Sequence, residues 1–167
     1  SKYDVYTTVQ SVYCYPDTDV LINKLNIHDK AELKQAEEEF TAVKQMALLQ
    51  EPIKGRFTKT HLFRIHRFLF EDVYPFAGHI RKEQISKGDT MFYPPDLIER
   101  ELERVFKTIH SKKLLAEQNE ESQIQNLSQT MAELNIIHPF REGNGRSTRE
   151  LIRCCLLYTS DAADDTP

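Results

Sequence analysis

The sequence is poor in the residues that crosslink or kink a chain. It has 167 residues, of which three are cysteine and five are glycine. The cysteines are odd in number, and Cys154 and Cys155 are adjacent, which excludes a disulfide framework and a Cys-x-x-Cys metal knuckle. We expect these two and Cys14 to be buried thiols. A chain of this length can bury a sufficient core as one domain without crosslinks.

Long apolar runs and an excess of positive charge are also absent. No run approaches the roughly 18 apolar residues that a membrane span requires, and the polar start SKYDVYTTVQ has no apolar core of a signal peptide. We therefore expect a cytoplasmic protein without a membrane partner. The formal net charge of -4 gives no overall basic surface, which argues against a nucleic-acid partner. Any anion site must be local.

Apolar residues recur at helical spacing over most of the chain and predict an all-α fold. The stretch EQISKGDTMFY is the exception, because its Gly88-Asp89 turn between β-prone flanks predicts a small hairpin. Capping residues and prolines mark the expected helices. These run from Asp29 to about Glu51, from Thr58 towards Tyr74–Gly78, from Pro94-Pro95 past Ile109, from about Ile124 to His138, and from about Asn144 onwards.

The segment HPFREGNGRSTR, residues 138–149, places a glycine-rich loop between the end of one predicted helix and the start of the next. A helix N-terminus presents unpaired N–H groups, and Gly143 and Gly145 on either side of Asn144 let the backbone approach an anion closely. Arg146 and Arg149 can each add charge-assisted bonds to phosphate oxygens. The loop is therefore predicted to cradle a polyphosphate.

Two further side chains of this segment suit phosphate chemistry. Glu142, beside so much positive potential, is expected to stay ionised and to hold Mg²⁺ together with phosphate oxygens and water. His138 is a neutral imidazole near pH 7 and can take a proton from a hydroxyl. Each fragment alone is commonly structural, as a turn, a helix stop or a solvated helix face. Joined within twelve residues, they indicate phosphoryl or nucleotidyl transfer.

Other polar residues carry weaker signals. His61 and His66 are five positions apart, which does not place two metal ligands on one helix face, so both are predicted to be structural. His79 and Arg81, beside the hairpin, suit either contact with a target or nucleotide, or simple solvent exposure. The pair Lys112-Lys113 is predicted to be a solvated helix end.

The 138–149 segment resembles the signature of the Fic family of protein adenylyltransferases, which is His-Pro-Phe-x-Asp/Glu-Gly-Asn-Gly-Arg-x-x-Arg. Every specified position is met. YPFAGHIR (74–81) and KGDTMFYPP (87–95) are similar to two other segments of that family, the second being its target-binding flap. The resemblance implies a single Fic domain over residues 1–154, with an N-terminal helical extension, as an all-α bundle with one β-hairpin flap.

The resemblance also implies roles. His138 would deprotonate a Ser, Thr or Tyr hydroxyl of a target protein, which then attacks the α-phosphate of ATP, so that AMP is transferred and pyrophosphate leaves. Glu142 would bind Mg²⁺, and Gly143, Asn144 and Gly145 would form the anion hole. Arg146 and Arg149 would bind the β and γ phosphates. The flap would align the target by main-chain pairing through Lys87, Gly88, Asp89, Thr90, Met91, Phe92 and Tyr93.

Regulation and the C-terminus depart from the family pattern. Many members carry an inhibitory helix with Ser/Thr-x-x-x-Glu-Gly/Asn, which this sequence lacks outside the signature. We expect either an inhibitory partner protein or a lost C-terminal inhibitory helix. CLLYTSDAAD (155–164) resembles the translation of a transposon-end adapter from sequencing libraries, so residues 155–167 are predicted to be a non-native tail. Leu156–Tyr158 could then prolong the last helix by about one turn.

Three alternatives remain open from the sequence. A Fic fold can also serve a protein kinase or a phosphocholine transferase, or it can bind nucleotide without turnover. The target could also be the chain itself, by self-modification. The mass of the added group separates the three transfer reactions.

Overall fold

The computed structural model describes residues 10–111 and 119–164 of the chain. Within these ranges the chain forms five α-helices and one two-stranded antiparallel hairpin, which confirms the predicted all-α fold with a single hairpin. The elements in chain order are α1 (Lys30–Gln50), α2 (Lys59–Phe70), β1 (Ser86–Lys87), β2 (Thr90–Met91), α3 (Pro95–Ser111), α4 (Glu120–Ile137) and α5 (Asn144–Asp164).

The predicted capping residues begin two of the helices. The Asp29 carboxylate accepts a hydrogen bond from the Glu32 N–H at 2.9 Å and caps α1. The Thr58 hydroxyl accepts from the His61 N–H at 3.3 Å and caps α2. Each cap satisfies one backbone donor that has no partner within its helix. Helix α2 ends at Phe70, before the 74–78 turn in which it was expected to end.

The hairpin forms around the predicted turn. Lys87 pairs with Thr90 and Ser86 with Met91, which leaves Gly88 and Asp89 as a two-residue loop. Gly88 has φ +58°, a backbone angle that glycine adopts at little cost and that tight hairpin turns require at this position. The predicted flap is thus present as a hairpin with Gly88 at its tip.

Helix α2 is the centre of the bundle, since it packs against α1, α3 and α5, while α4 packs against α3 and α5. Its apolar face is fully buried through Leu62, Ile65, Leu69 and Phe70. Burying a side chain of this kind stabilises the fold by about 1.5–3 kcal/mol relative to leaving it exposed. The loop from α4 to α5 lies over this helix, where His66 contacts the Glu142 carbonyl.

The C-terminal helix is longer than predicted. Helix α5 continues to Asp164, about two turns beyond Leu157 rather than ending near Tyr158. The alanines and polar residues of this stretch are compatible with helix, so propensity alone allows the extension. Cys155 is buried in the core, whereas Leu156 is 50% exposed. The identification of residues 155–167 as a non-native tail stays a prediction.

Three further predictions concern the cysteines, membrane-spanning helices and the Lys112-Lys113 pair. Cys14, Cys154 and Cys155 are buried free thiols, as predicted. In residues 10–111 and 119–164, no helix has the length and apolarity needed to cross a membrane. The prediction for Lys112-Lys113 falls outside the described residues.

Candidate functional site

An open cleft of about 410 Å³ lies where the loop from α4 to α5 faces the hairpin. It contains every signature residue to which a catalytic, nucleotide-binding or metal-binding role was assigned. Among the described residues, only two of the seven predicted flap residues join them, and two unpredicted residues complete the lining. The lining residues are Lys87, Phe92, Asn135, His138, Arg141, Glu142, Gly143, Asn144, Gly145, Arg146 and Arg149.

His138 is the C-cap of α4. Its backbone is in the left-handed region, with φ 51° and ψ 63°, and its N–H still donates to the Leu134 carbonyl. Its Nδ1 lies 3.3 Å from the Asn135 carbonyl oxygen. Since a carbonyl can only accept, this contact assigns the ring proton to Nδ1 and leaves the lone pair on Nε2. Nε2 is therefore the atom that can take a proton.

The surroundings of His138 keep its imidazole neutral. Burial lowers its pKa to about 4, and the positive charges of Arg81 and Lys87 act in the same direction. The Phe92 ring stacks on the imidazole with centroids 3.7 Å apart and an angle of 6° between planes. At neutral pH the ring is thus in its basic form.

The anion loop, residues 140–146, is braced from inside. The buried Asn144 side chain donates to the Phe140 carbonyl at 2.7 Å and accepts from the Phe140 N–H at 2.8 Å. Gly143 has φ +82°, and a Cβ there would lie 2.2 Å from the Phe70 ring, so only glycine fits. The Ser147 hydroxyl holds the Gly143 carbonyl at 2.8 Å. The Asn144 side chain is thus used to brace the loop from within.

The two predicted phosphate-binding arginines have different surroundings. Arg146 donates to the Glu37 carboxylate and, at 3.1 Å, to the Thr41 hydroxyl, both on α1. Its guanidinium lies over the Phe70 ring, 4.8 Å from the centroid. Arg149 is exposed in the cleft and forms no ion pair with any residue that the structure describes. Arg149 is therefore free to reach an anion, whereas Arg146 is already held.

The surroundings of Glu142 shift the pKa of its carboxyl group. Burial raises the pKa of its carboxyl, the nearby Glu37 charge raises it further, and Arg146 opposes both effects. The neighbouring arginines are adjacent in the sequence, whereas Glu37 is distant in the chain, so its effect on the pKa of Glu142 could not be predicted. The pKa shift is therefore opposite to the expected direction.

The donor set of the cleft fits Mg²⁺ bound together with a polyphosphate. No cluster of three or more His, Cys, Asp or Glu side chains occurs in the described part of the chain, so an ion here would need further ligands. Mg²⁺ is usually bound by one or two carboxylates, substrate phosphates and water. Glu142, a partly buried carboxylate in the cleft, would supply the protein ligand of such a site.

Arg81 is fully buried, which rules out solvent exposure, one of the two alternatives that the sequence left open for it. Its guanidinium donates to the carbonyls of His138 at 2.7 Å and Ile137 at 3.1 Å, at the C-terminus of α4. It also donates to the carbonyls of Glu83 and Tyr93, on the two sides of the hairpin. Burial lowers its pKa to about 10, so the side chain stays charged at neutral pH. Arg81 thus joins the hairpin to the backbone of His138.

Sequence reasoning missed the contribution of α1. Glu37 accepts hydrogen bonds from Arg146 and from the Tyr74 hydroxyl, and its side chain is only 10% exposed. The available signal was its position on the same helix face as Leu33, Thr41 and Leu48, all of which are buried. A carboxylate on a buried helix face needs a partner, which here is Arg146.

The bundle, the hairpin and the braced anion loop define one class of protein. The Fic/DOC family matches residues 56–156, and the chain belongs to this family. It is 35% identical over 162 residues to the probable protein adenylyltransferase y4lH of Sinorhizobium fredii, which covers 96% of this chain and 83% of that protein. It is 32% identical over 137 residues to the probable protein adenylyltransferase Fic of Escherichia coli, covering 82% of this chain and 68% of the relative.

A solved structure supports the same fold. The BepC protein of Bartonella tribocorum, a VirB-translocated effector crystallised with bound AMPPNP, matches with a TM-score of 0.79 at 25% identity. The match covers 88% of this chain and 77% of BepC. The prediction of a Fic-type helical bundle is confirmed. Helix α1 lies before the 56–156 segment, and the division into a Fic domain with an N-terminal helical extension stays a prediction.

Proposed function

We propose that the chain transfers AMP from ATP to a Ser, Thr or Tyr hydroxyl of a target protein, with His138 as the general base. The observation that carries this proposal is the presence of a basic Nε2 and a braced anion loop in one cleft. The relatives named protein adenylyltransferase support AMP transfer, which is a nucleotidyltransferase reaction. The AMPPNP bound by BepC supports ATP as the co-substrate.

In the proposed reaction the target hydroxyl donates its proton to Nε2 of His138. The hydroxyl oxygen attacks the α-phosphorus of ATP, and the bond from that phosphorus to the bridging oxygen of the β-phosphate breaks. AMP remains on the target, pyrophosphate leaves, and the proton stays on the imidazolium until solvent removes it. The neutral state of His138 at pH 7 makes it ready to accept that proton.

The charge that develops on the phosphates would be met by the anion loop. Backbone N–H groups of Gly143 to Gly145 and the start of α5 supply preorganised donors, which stabilise such charge without reorganisation. Arg149 would bind the terminal phosphates, and the remaining N–H groups of Arg146 would assist. Held by Glu142, Mg²⁺ would neutralise part of the phosphate charge.

The hairpin would position the target. In a two-residue hairpin the closing pair, Lys87 and Thr90, is hydrogen-bonded, and the Phe92 N–H donates to the Ile85 carbonyl at 3.3 Å. Because alternate residues face opposite edges, the Met91 N–H and carbonyl are directed away from β1. This outer edge could pair with an extended segment of the target, which is strand addition.

The test is to incubate the chain and its His138→Ala variant with a cytosolic lysate and ATP labelled at either the α or the γ phosphate. AMP transfer predicts that α-label appears on protein and γ-label does not, and that His138→Ala loses the label.

Transfer of γ-label would instead indicate a kinase. Phosphocholine on a protein, detected by its mass, would indicate the third chemistry, and ATP binding without any product would indicate a module without turnover. Label on the chain itself would show self-modification.

Control of the site is a separate part of the proposal. An inhibitory glutamate, supplied by a partner protein or by a lost C-terminal helix, would pair with Arg149, which is exposed in the cleft. Glu37 does not take this role, because it pairs with Arg146.

A further inference from the structure

His66 is a buried side chain that the proposed reaction does not use. It lies on α2, is 0% exposed, and makes two hydrogen bonds to backbone groups. Its Nδ1 accepts from the Gly78 N–H at 2.8 Å, and its Nε2 lies 2.8 Å from the Glu142 carbonyl oxygen. Since the Gly78 amide can only donate and a carbonyl can only accept, the ring proton is on Nε2. His66 therefore donates to the backbone of the anion loop.

The His66 ring is held in this orientation. It stacks on Phe140 with centroids 3.7 Å apart and an angle of 12° between planes, and the Phe70 ring lies 4.8 Å away. Burial lowers the pKa of the imidazole to about 3, with smaller contributions in the same direction from Arg146 and His79. The ring is thus neutral at physiological pH and keeps both of its hydrogen bonds.

This contact decides which way a neighbouring amide points. A peptide bond is planar and trans, so the carbonyl of one residue and the N–H of the next point in opposite directions. With the Glu142 carbonyl directed down at His66 on α2, the Gly143 N–H is directed away from α2, towards the cleft. The partner that the structure gives this N–H is the Glu142 carboxylate, at a long 3.4 Å. The amide is therefore available to an anion.

We propose that His66 is a positioning residue of the anion loop, which orients the Gly143 N–H towards the phosphate by holding the Glu142 carbonyl from below. The inference rests on the proposed function, because it gives that amide a role in AMP transfer. His66 touches no substrate and acts only through the Glu142–Gly143 peptide. Its second bond, to Gly78, ties the same ring to the 74–78 turn.

Two substitutions separate the two hydrogen bonds of His66. In His66→Gln the amide nitrogen can take the place of Nε2 and donate to the Glu142 carbonyl. In His66→Asn the shorter side chain can take the place of Nδ1 and accept from Gly78, but it does not reach Glu142. Both variants lose the ring and its stacking, so we expect similar losses of melting temperature. We expect kcat for AMP transfer to be about tenfold or more lower in His66→Asn than in His66→Gln, with similar KM for the target.

His61 offers a matched control on the same helix. It is 2% exposed, its Nδ1 accepts from the Phe57 N–H at 3.3 Å, and its Nε2 donates to the Ile53 carbonyl at 2.8 Å. This is the same bonding pattern without any contact to the anion loop. His61→Gln and His61→Asn should both lower the melting temperature, and we expect the two variants to have the same kcat. Equal kcat in the two His66 variants, or the same separation in the His61 pair, would overturn the proposal.

A binding experiment is independent of transfer. By calorimetry, His66→Asn should weaken binding of ATP about tenfold relative to His66→Gln, while binding of adenosine, which has no phosphate, stays equal. A parallel loss of both ligands would mean that His66 only supports the fold. If the wild-type chain transfers nothing, the proposed function fails, whereas this comparison still decides the role of His66.

The wild-type chain gives a final test that does not depend on how the variants fold. The Gly143 amide should show one of the larger ¹H–¹⁵N shift changes when ATP is added, and a much smaller change with adenosine. The buried Asn144 side-chain amide, which bonds to Phe140, should shift little with either ligand. A Gly143 amide that is indifferent to ATP would contradict the proposed orientation.

Discussion

The Phe92 ring covers the His138 imidazole, with 3.7 Å between centroids and nearly parallel planes. This contact joins the hairpin to the proposed base. Arg81 joins the same two parts through the backbone, because it bonds to the His138 and Tyr93 carbonyls. Two independent contacts therefore fix the position of the hairpin relative to the proposed base, and with it the distance to a target that would pair with the hairpin.

Removing the Phe92 ring should change the pH dependence of transfer. Phe92→Ala hydrates the imidazole, so the His138 pKa should rise from about 4 towards the ordinary value of about 6.5. Since the basic form is the active one, the variant should lose rate as the pH falls below about 6.5, where the wild type keeps its rate. A pH–rate profile checks this. Met91→Ala is the control, because Met91 is 69% exposed and lies next to Phe92. Coincident acid limbs would show that the ring does not control the pKa.

His138→Ala should abolish AMP transfer and leave ATP binding largely intact. The imidazole acts on the target hydroxyl, and loss of a general base costs on the order of 10² to 10⁴ in rate. Labelling with α-labelled ATP measures the rate, and calorimetry measures the affinity. Undiminished labelling would remove His138 from the mechanism.

Glu142→Ala should lower transfer in a way that excess Mg²⁺ restores only in part. The substitution removes the protein ligand, whereas the phosphates and water can still bind the ion weakly. A titration of rate against Mg²⁺ concentration for both proteins tests this. Indifference of both proteins to Mg²⁺ would refute the metal assignment.

Glu37→Ala should destabilise the fold by about 2 kcal/mol, because it leaves the partly buried Arg146 guanidinium without its carboxylate partner. Glu37→Ala combined with Arg146→Met should cost less than the sum of the two single changes, since the double variant has no unpaired charge. Urea unfolding measures both effects. Glu71→Gln is the control, because it breaks a more exposed pair of α1, with Lys44, and should cost no more than about 1 kcal/mol. Additive losses would mean that Glu37 and Arg146 do not depend on each other.

Met91→Pro should reduce target labelling while ATP affinity changes little. Proline removes the N–H at the outer edge of β2, which is the group available to a target strand. Met91→Ala keeps that N–H and serves as the comparison. Similar losses of labelling and of ATP affinity would place this segment in the nucleotide pocket.

The parts of the fold that depend on neighbouring residues were predictable. The caps at Asp29 and Thr58, the turn at Gly88 and the start of α3 at Pro95 each follow from a few adjacent residues. The signature was equally local, so nine of the eleven residues that line the cleft were predicted from the sequence, and only Asn135 and Arg141 were not. The end of α5 was not predicted, because the alanine-containing stretch after Tyr158 gives no local signal for the end of a helix.

The supports of the site could not be predicted, because they join residues that are far apart in the chain. Glu37 and Arg146 are separated by 109 positions, and His66 and Glu142 by 76. Among the described residues, Arg81 bonds only to carbonyl groups, which every residue possesses, so its partners cannot be identified from the sequence. The spacing of residues in the sequence predicts which side chains form the site, whereas the residues that support those side chains are known only from the tertiary structure.

Helix α1 has a practical consequence for where the chain can be cut. A fragment of residues 56–156, the segment matched by the Fic/DOC family, would lack Glu37 and Thr41 and would strip the cover from α2. The Tyr74 hydroxyl would lose its acceptor in the same cut. We therefore expect the smallest autonomous unit to begin no later than the Asp29 cap. Libraries or fusions designed on the matched segment alone would leave the α1-facing side of α2 exposed.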